Sequence, residues 1–208
     1  MLLYGNMSSY GFEKDEVLEK INESAHRASK QINDLLDLNN ISKPTEEMSE
    51  VNLDNCVDKI KVELEQVIAE KHADITYSSL GTIKGIPWQI EQLMNNLIEN
   101  VLKFSQGQNS HIAISLSNST PQEIEENTPL NPQQEYVCLK IEDDGIGFEQ
   151  KFAGQIFAVF NRLNNRNAYE GNGIGLAIGK KIADNHNGHI MAKSQKGEGA
   201  TFYVYLPK

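Results

Sequence analysis

Leu18, Ile21, Ala25, Ala28, Ile32 and Leu35 recur at alternating steps of three and four, the spacing of a helix with one apolar face. The pattern predicts a helix over 16–38 with Asp15 as its N-cap. It is too short to establish a coiled coil, so a bundle helix and a dimer seam both remain open. A polar, proline-marked stretch around Pro44 follows and reads as a linker, dividing the chain into 1–44 and 45–208. Leu53, Cys56, Val57, Ile60, Leu64, Val67 and Ile68 resume helical spacing, and Ile75 and Tyr77 alternate as in a strand. Ile86-Pro87 opens another helix, since proline is tolerated in a first turn. Ile112, Ile114 and Leu116 alternate, as do Val137, Leu139 and Ile141, which predicts two half-buried strands. Residues 117–135 between them are polar and proline-bearing, longer than a hairpin loop, and read as a solvated insertion. A helix over 174–187 and strands over 190–194 and 201–206 complete the pattern. The expected fold is α+β, a two-layer sandwich of a mixed sheet with helices on one face, preceded by a long N-terminal helix.

Composition narrows the partners. At 208 residues and 39% hydrophobic, the chain has enough apolar content for one domain with an extension. A formal net charge of -10 argues against general binding to nucleic acid or a membrane surface, both of which are polyanionic. No apolar run approaches the roughly 18 residues of a membrane span, and the start lacks the basic and apolar regions of a signal peptide. Cys56 and Cys138 form no C-x-x-C pair, so free thiols and a cytoplasmic location are expected.

The helix after Pro87 carries unusual polar residues. On a wheel of 100° per residue, Gln92, Asn96, Glu99, Asn100 and Lys103 form one stripe, opposite Ile90, Leu93, Met94, Leu97, Val101 and Phe104. Asparagine is a mediocre helix former because its amide competes for nearby backbone groups. A core helix with a wet back is one reading of such a stripe; a carbonyl oxygen for Mg2+ with an ammonium for phosphate is the other. Glu142-Asp143-Asp144-Gly145-Ile146-Gly147-Phe148 ends an alternating strand. There an Asp can accept a hydrogen bond from an exocyclic amine, and the glycines admit a ligand near the backbone. Gly171-Asn172-Gly173-Ile174-Gly175-Leu176 opens a helix, whose first N–H groups can bind phosphate. Neither cluster fits G-x-G-x-x-G, and no G-x-x-x-x-G-K-[ST] is present, so the common dinucleotide and P-loop sites are disfavoured.

Taken in this order, the clusters resemble the ATP-binding domain of sensor histidine kinases. That domain shares a superfamily with type II topoisomerases, heat-shock chaperone ATPases and mismatch-repair ATPases. The likeness covers residues 53–208. Asn96 to Phe104 is similar to the family's N box, Asp143 to Gly147 to its G1 box, and Ile156 to Arg162 to its F box. Gly171 to Leu176 is similar to the G2 box, and Gly197-Glu198-Gly199-Ala200-Thr201-Phe202 to the last glycine turn. The resemblance implies ATP and Mg2+ as cofactors. It implies that Asn100 holds the metal, that Asn96 supports the metal or its waters, and that Lys103 beside Phe104 contacts phosphate. Asp143 would accept from the adenine amino group, with Gly145 and Gly147 in the same loop and Gly147 allowing close approach. Residues 148–172 would form a lid, with Arg162, or Arg166 four residues on, for the γ-phosphate. Gly171, Gly173, Ile174, Gly175 and Leu176 would line the phosphates, and Thr201 would reach adenine through water. Phe157 and Phe160 would anchor the lid.

The N-terminal helix resembles the second helix of the family's dimerisation and phosphoacceptor hairpin, through Ser24-Ala25-His26-Arg27 and Asp34 to Leu38. The resemblance implies a homodimer through that hairpin in the full-length protein and a response regulator receiver domain as partner. The family's acceptor histidine lies on the first helix, followed by an acid and a proline. None of His26, His72, His111, His186 and His189 has that setting. The expectation is a truncated kinase, or one whose acceptor is on another protein. Two alternatives stand beside it: an ATP hydrolase of the same superfamily, and a non-catalytic nucleotide-dependent dimerisation module. Hydrolases of the superfamily place a Glu four residues before the metal-binding Asn, and here that position is Asn96. From the charge alone, a gel-shift titration at physiological salt is expected to show no micromolar binding to duplex DNA.

Overall fold

The computed structural model describes residues 47–105, 109–161, 163 and 172–208, with Val17, Leu18, Glu19, Ile21, Asn22, Ala25, Ser29, Ile32, Leu36, Asn39 and Ile41. These N-terminal positions are all helical, Asn39 and Ile41 among them, beyond the expected end at 38. Asp15, His26, Ala28 and Leu35 lie outside the described residues. Leu18, Ile21 and Ile32 are more than half exposed, while Ile41 is fully buried in the main core. Asn185 Nδ2 donates to the Ile41 carbonyl, tying the end of this helix to the rest of the chain.

The elements then run β1 (Ser49–Asn52), α1 (Leu53–Glu63), α2 (Glu65–Lys71), β2 (Asp74–Tyr77), β3 (Thr82–Gly85) and α3 (Pro87–Phe104). After them come β4 (His111–Asn118), α4 (Pro121–Asn127), β5 (Tyr136–Asp143), a single 3-10 turn (Gln150–Phe152), α5 (Gly175–Asn185), β6 (His189–Ser194) and β7 (Ala200–Pro207). The five-stranded sheet has the order β2-β4-β5-β7-β6, with β2 parallel to β4 and every other pair antiparallel. It is the expected mixed sheet. Ile112, Ile114, Leu139, Ile141, Phe202 and Val204 point to one face and meet Ile90, Leu93, Met94, Leu97 and Ile98 of α3 and Ile178 and Ile182 of α5. Strand alternation and helical spacing thus converge on one core.

Three elements depart from the periodic pattern. β1 and β3 form a separate antiparallel ribbon, Val51 opposite Ile83, in stretches to which the periodic pattern assigns no strand. The helix predicted from Leu53 onward breaks at Leu64, whose N–H still bonds to the Ile60 carbonyl, and a second short helix follows. The 117–135 insertion is not simply solvated. Thr120 and Glu123 form a capping box with Pro121 in the first turn, which starts α4. This helix lays Ile124 against Tyr136, Cys138 and Tyr205 on the sheet face away from α3 and α5.

Ile124 is 1% exposed, so truncating it opens a cavity in this second cluster. Ile124→Ala is expected to lower unfolding free energy by about 2–4 kcal/mol in urea denaturation; a merely solvated insertion would show almost no change.

Candidate functional site

The polar stripe and both glycine clusters meet at one end of the sheet. α3 is started by Pro87 and ended at Ser105, whose hydroxyl donates to the Leu102 carbonyl at 2.7 Å. Between these ends, seven apolar side chains from Ile90 to Leu102 are buried. That burial orients Asn96, Asn100 and Lys103 along the partly open side. Lys103 Nζ lies 4.7 Å from the Phe104 ring centre, within the range of a cation–π contact.

α5 starts with no side-chain cap and no acidic residue in its first turn, and Gly173 precedes it with φ +68°. A helix start of this kind presents N–H groups and the positive end of the dipole to an anion. Ile174 is buried and Leu176 half-buried, so they anchor the turn. A Cβ on Gly175 would stand 3.5 Å from Asn96 Oδ1, which puts α5's first turn directly against the polar stripe of α3. Asn96 Nδ2 is buried and has no hydrogen-bond partner among the described residues. A buried unpaired donor is costly, and an anionic oxygen or a bound water would satisfy it. The site's donor set therefore fits phosphate, and the Asn100 carbonyl oxygen fits a hard cation such as Mg2+.

Asp143 ends β5 opposite Ala200 and is buried. Its Oδ1 accepts from the Gly145 N–H at 2.8 Å. Burial pushes its carboxyl up to about 6, against the lowering effect of N–H bonds from Gly145 and Ala200, with Asp144 and Glu142 adding to the rise. A depression of about 570 Å³ opens beside it, lined by Glu142, Gln150, Lys193, Ser194, Glu198 and Thr201 among others. Thr201 pairs with Glu142. It is therefore on the opposite side of the strand from Ala200, whose N–H reaches Asp143.

The glycines of this loop serve backbone packing. A Cβ on Gly145 would fall 2.4 Å from the Phe104 carbonyl, one on Gly147 2.1 Å from the Gln195 carbonyl, and one on Gly199 1.9 Å from the Asp143 carbonyl. Gly147 and Gly199 also have positive φ. The position a Cβ would take on Gly147 is thus filled by protein backbone. Ile146 completes the junction: its N–H donates to the Phe104 carbonyl at 3.0 Å and its carbonyl accepts from Gly197 at 2.7 Å.

The start of the expected lid is fastened as well. The Ser194 hydroxyl accepts from Phe148 N–H at 2.9 Å and donates to the Gly199 carbonyl at 2.7 Å. Gln150 bonds to both Ser194 N and the Ala192 carbonyl. Phe157 is buried in the core, whereas Phe160 is 54% exposed with φ +63°; its N–H donates to the Gly173 carbonyl. Phe157 therefore anchors this segment with its side chain and Phe160 with its backbone. Arg162, Arg166 and Gly171 lie outside the described residues. Sequence reasoning missed Ser194, Gln150 and the Ala200 N–H, because isolated residues that bond to backbone groups leave no periodic signal; only Ala200's place beside Thr201 hinted at it.

Residues 85–208 match the family model described as histidine kinase-, DNA gyrase B- and HSP90-like ATPase. The fold and site thus define an ATPase-type domain of that class, and the chain belongs to this family. Within it, the similar curated proteins are sensors and kinases. Cyanobacterial phytochrome A of Nostoc is 37% identical over 155 residues, 74% of this chain and 18% of that protein. The sensor protein kinase WalK of Staphylococcus aureus is 27% identical over 219 residues, 97% of this chain and 49% of that sequence. The chain spans about a fifth of the phytochrome length. Full-length ShkA in complex with AMPPNP shares the fold with a TM-score of 0.70 at 20% identity, over all of this chain and 40% of that one. The catalytic domain of the histidine kinase ThkA does so with a TM-score of 0.58 at 23% identity, over 78% and 99%.

Asp143 carries a sign-definite pH signature. Its folded pKa stands above the unfolded value of 3.8, so the folded state holds this proton more tightly. The group's contribution to stability is therefore greatest at low pH and falls as pH rises from about 4 to about 6. Comparing Asp143→Asn with the parent by urea denaturation, the difference is expected to shift in the variant's favour by on the order of 2 kcal/mol between pH 4 and pH 7. A pH-independent difference would contradict the assignment.

Proposed function

We propose that this chain is the ATP-binding catalytic part of a two-component sensor histidine kinase, which transfers the ATP γ-phosphoryl group to a histidine for relay to a response regulator receiver domain. The observation that carries the reading is the convergence at Asn96: an unpaired buried amide donor against the uncapped first turn of α5. In this reading the first-turn N–H groups near Gly173 and Gly175 and the Lys103 ammonium hold the phosphates. Asn100 holds Mg2+, which when bound offsets the charge of the phosphate oxygens. Asn96 fixes the metal's waters or a phosphate oxygen, and Arg162 meets the γ-phosphate. Asp143 accepts from the adenine amino group, and Thr201 contacts the base through water. Catalysis rests on positioning and on electrostatic stabilisation by donors that need no reorganisation. Similar proteins support the partners: ThkA has been seen in complex with the response regulator TrrA, and ShkA with AMPPNP. Homodimerisation through the N-terminal helix rests on the exposed Leu18, Ile21 and Ile32, since so much apolar surface is unfavourable in water.

Against hydrolysis, Asn96 cannot act as a base and Glu99 is exposed. Calorimetry is expected to show Mg2+-dependent ATP binding. Asp143→Asn should weaken it by about 1–3 kcal/mol, the loss of a charge-assisted hydrogen bond. Equal affinity in the variant would remove Asp143 from the adenine role.

No histidine in this chain has the acceptor setting, so labelled ATP should leave no acid-labile phosphate on the chain alone. Phosphate on His26 would overturn that part of the reading. ATP hydrolysis faster than transfer to a supplied acceptor would favour the hydrolase.

A further inference from the structure

α3 and α5 lie antiparallel in direct contact. Gly175 faces Asn96 at one end, and a Cβ on Gly179 would stand 3.2 Å from Leu93 Cδ1 in the middle. At the other end His186, the C-cap of α5, faces Ile86, the residue before Pro87. His186 is 2% exposed. Its Nε2 accepts from the Ile86 N–H at 3.0 Å, and its Nδ1 lies 2.8 Å from the Ile182 carbonyl. Both bonds are satisfied only by a neutral ring with its proton on Nδ1. Burial lowers the ring's pKa, opposed by the Ile182 bond, with no charged side chain contributing. Space for the ring depends on Gly85, where a Cβ would stand 3.2 Å from Nε2.

This bond joins the two helices that carry the phosphate donors. α3 has no side-chain cap, and Pro87 supplies no N–H, so the Ile86 N–H marks the start of α3. A helix is stiff along its axis, and α5 from residue 175 to residue 186 spans about 16 Å at 1.5 Å per residue. A cross-link that sets the axial register of the pair at one end therefore also sets how Gly173 and Gly175 face Asn96 and Asn100 at the other. A one-ångström slip there would misplace donors that must meet phosphate oxygens at hydrogen-bond distance.

We propose that His186 is a positioning residue for the phosphate site: it holds α5 in register with α3 through its Nε2 bond to the Ile86 N–H. The proposal rests on the ATP-binding reading above. It separates the two ring nitrogens, because only Nε2 reaches across to α3. Glutamine places a carbonyl oxygen near the Nε2 position and keeps the cross-link. Asparagine places its amide near Nδ1 and keeps only the bond within α5.

The test compares His186→Gln and His186→Asn with the parent chain for two probes, Mg2+-ATP and adenosine, after urea denaturation has confirmed that both variants fold. Adenosine reports the Asp143 side alone, and ATP reports both. His186→Gln is expected to bind ATP within about threefold of the parent, while His186→Asn loses about tenfold, the size of one net hydrogen bond. Adenosine affinity should stay unchanged in both. Equal ATP affinity in the two variants, or a parallel loss of ATP and adenosine, would overturn the proposal. Failure of the parent chain to bind ATP would instead overturn the functional reading and the positioning role with it.

Discussion

Three backbone segments come together where no side chain fits between them. Gly145 lies on the Phe104 carbonyl, Gly147 on the Gln195 carbonyl and Gly199 on the Asp143 carbonyl. The loop after β5 is thereby wedged between the end of α3 and the β6–β7 turn, and Ile146 bonds to both. Any larger residue would force one of these segments outward, because the contacts are with backbone that has nowhere to move. Through this wedge the orientation of Asp143 becomes a property of the whole sheet. A buried carboxylate raised to about 6 detracts from stability at neutral pH, which marks Asp143 as a candidate functional group.

The side where α3 meets α5 is built on different physics. There the contacts are between α3 and α5, and the polar groups are left facing the open side. Asn96 Nδ2 has no partner among the described residues, and α5 has no side-chain cap. Leaving such groups unmatched is unfavourable in the unliganded protein and favourable once an anion is present. The Asp143 side is thus closed by backbone alone, while the α3–α5 side leaves donors that an anion would complete.

The central fold was legible because its elements are periodic. α3, β4, β5, α5 and β7 each bury several apolar residues at one spacing, and that spacing survives in a bare sequence. β1 and β3 were not legible, since each is four residues long with one or two buried positions. Helix α4 buries only Ile124, too little for periodicity, although Thr120-Pro121 with Glu123 was a usable start signal. In the site, residue types pointed to the stripe, to Asp143 and to α5. For Gly147, sequence shows that a side chain is missing but not what fills that position, which is the Gln195 carbonyl. Nothing marked His186 or Ser194, whose partners are backbone groups far along the chain.

The small cluster around Ile124 gives the sheet an uneven thermal character. Where α4 lies over Cys138 and Tyr205, strands β5 and β7 are sandwiched between two apolar layers. Toward Asp143 and Ala200, the same two strands have helices on one side and a solvent-lined depression on the other. Local opening of a strand requires separating whatever covers it, so its free energy rises with the number of layers removed. Amide protons should therefore exchange most slowly near Cys138 and progressively faster toward Asp143, along one continuous hydrogen-bonded ladder. The Asp143 end of the ladder can then exchange without unzipping the far end, with α4 serving as ballast.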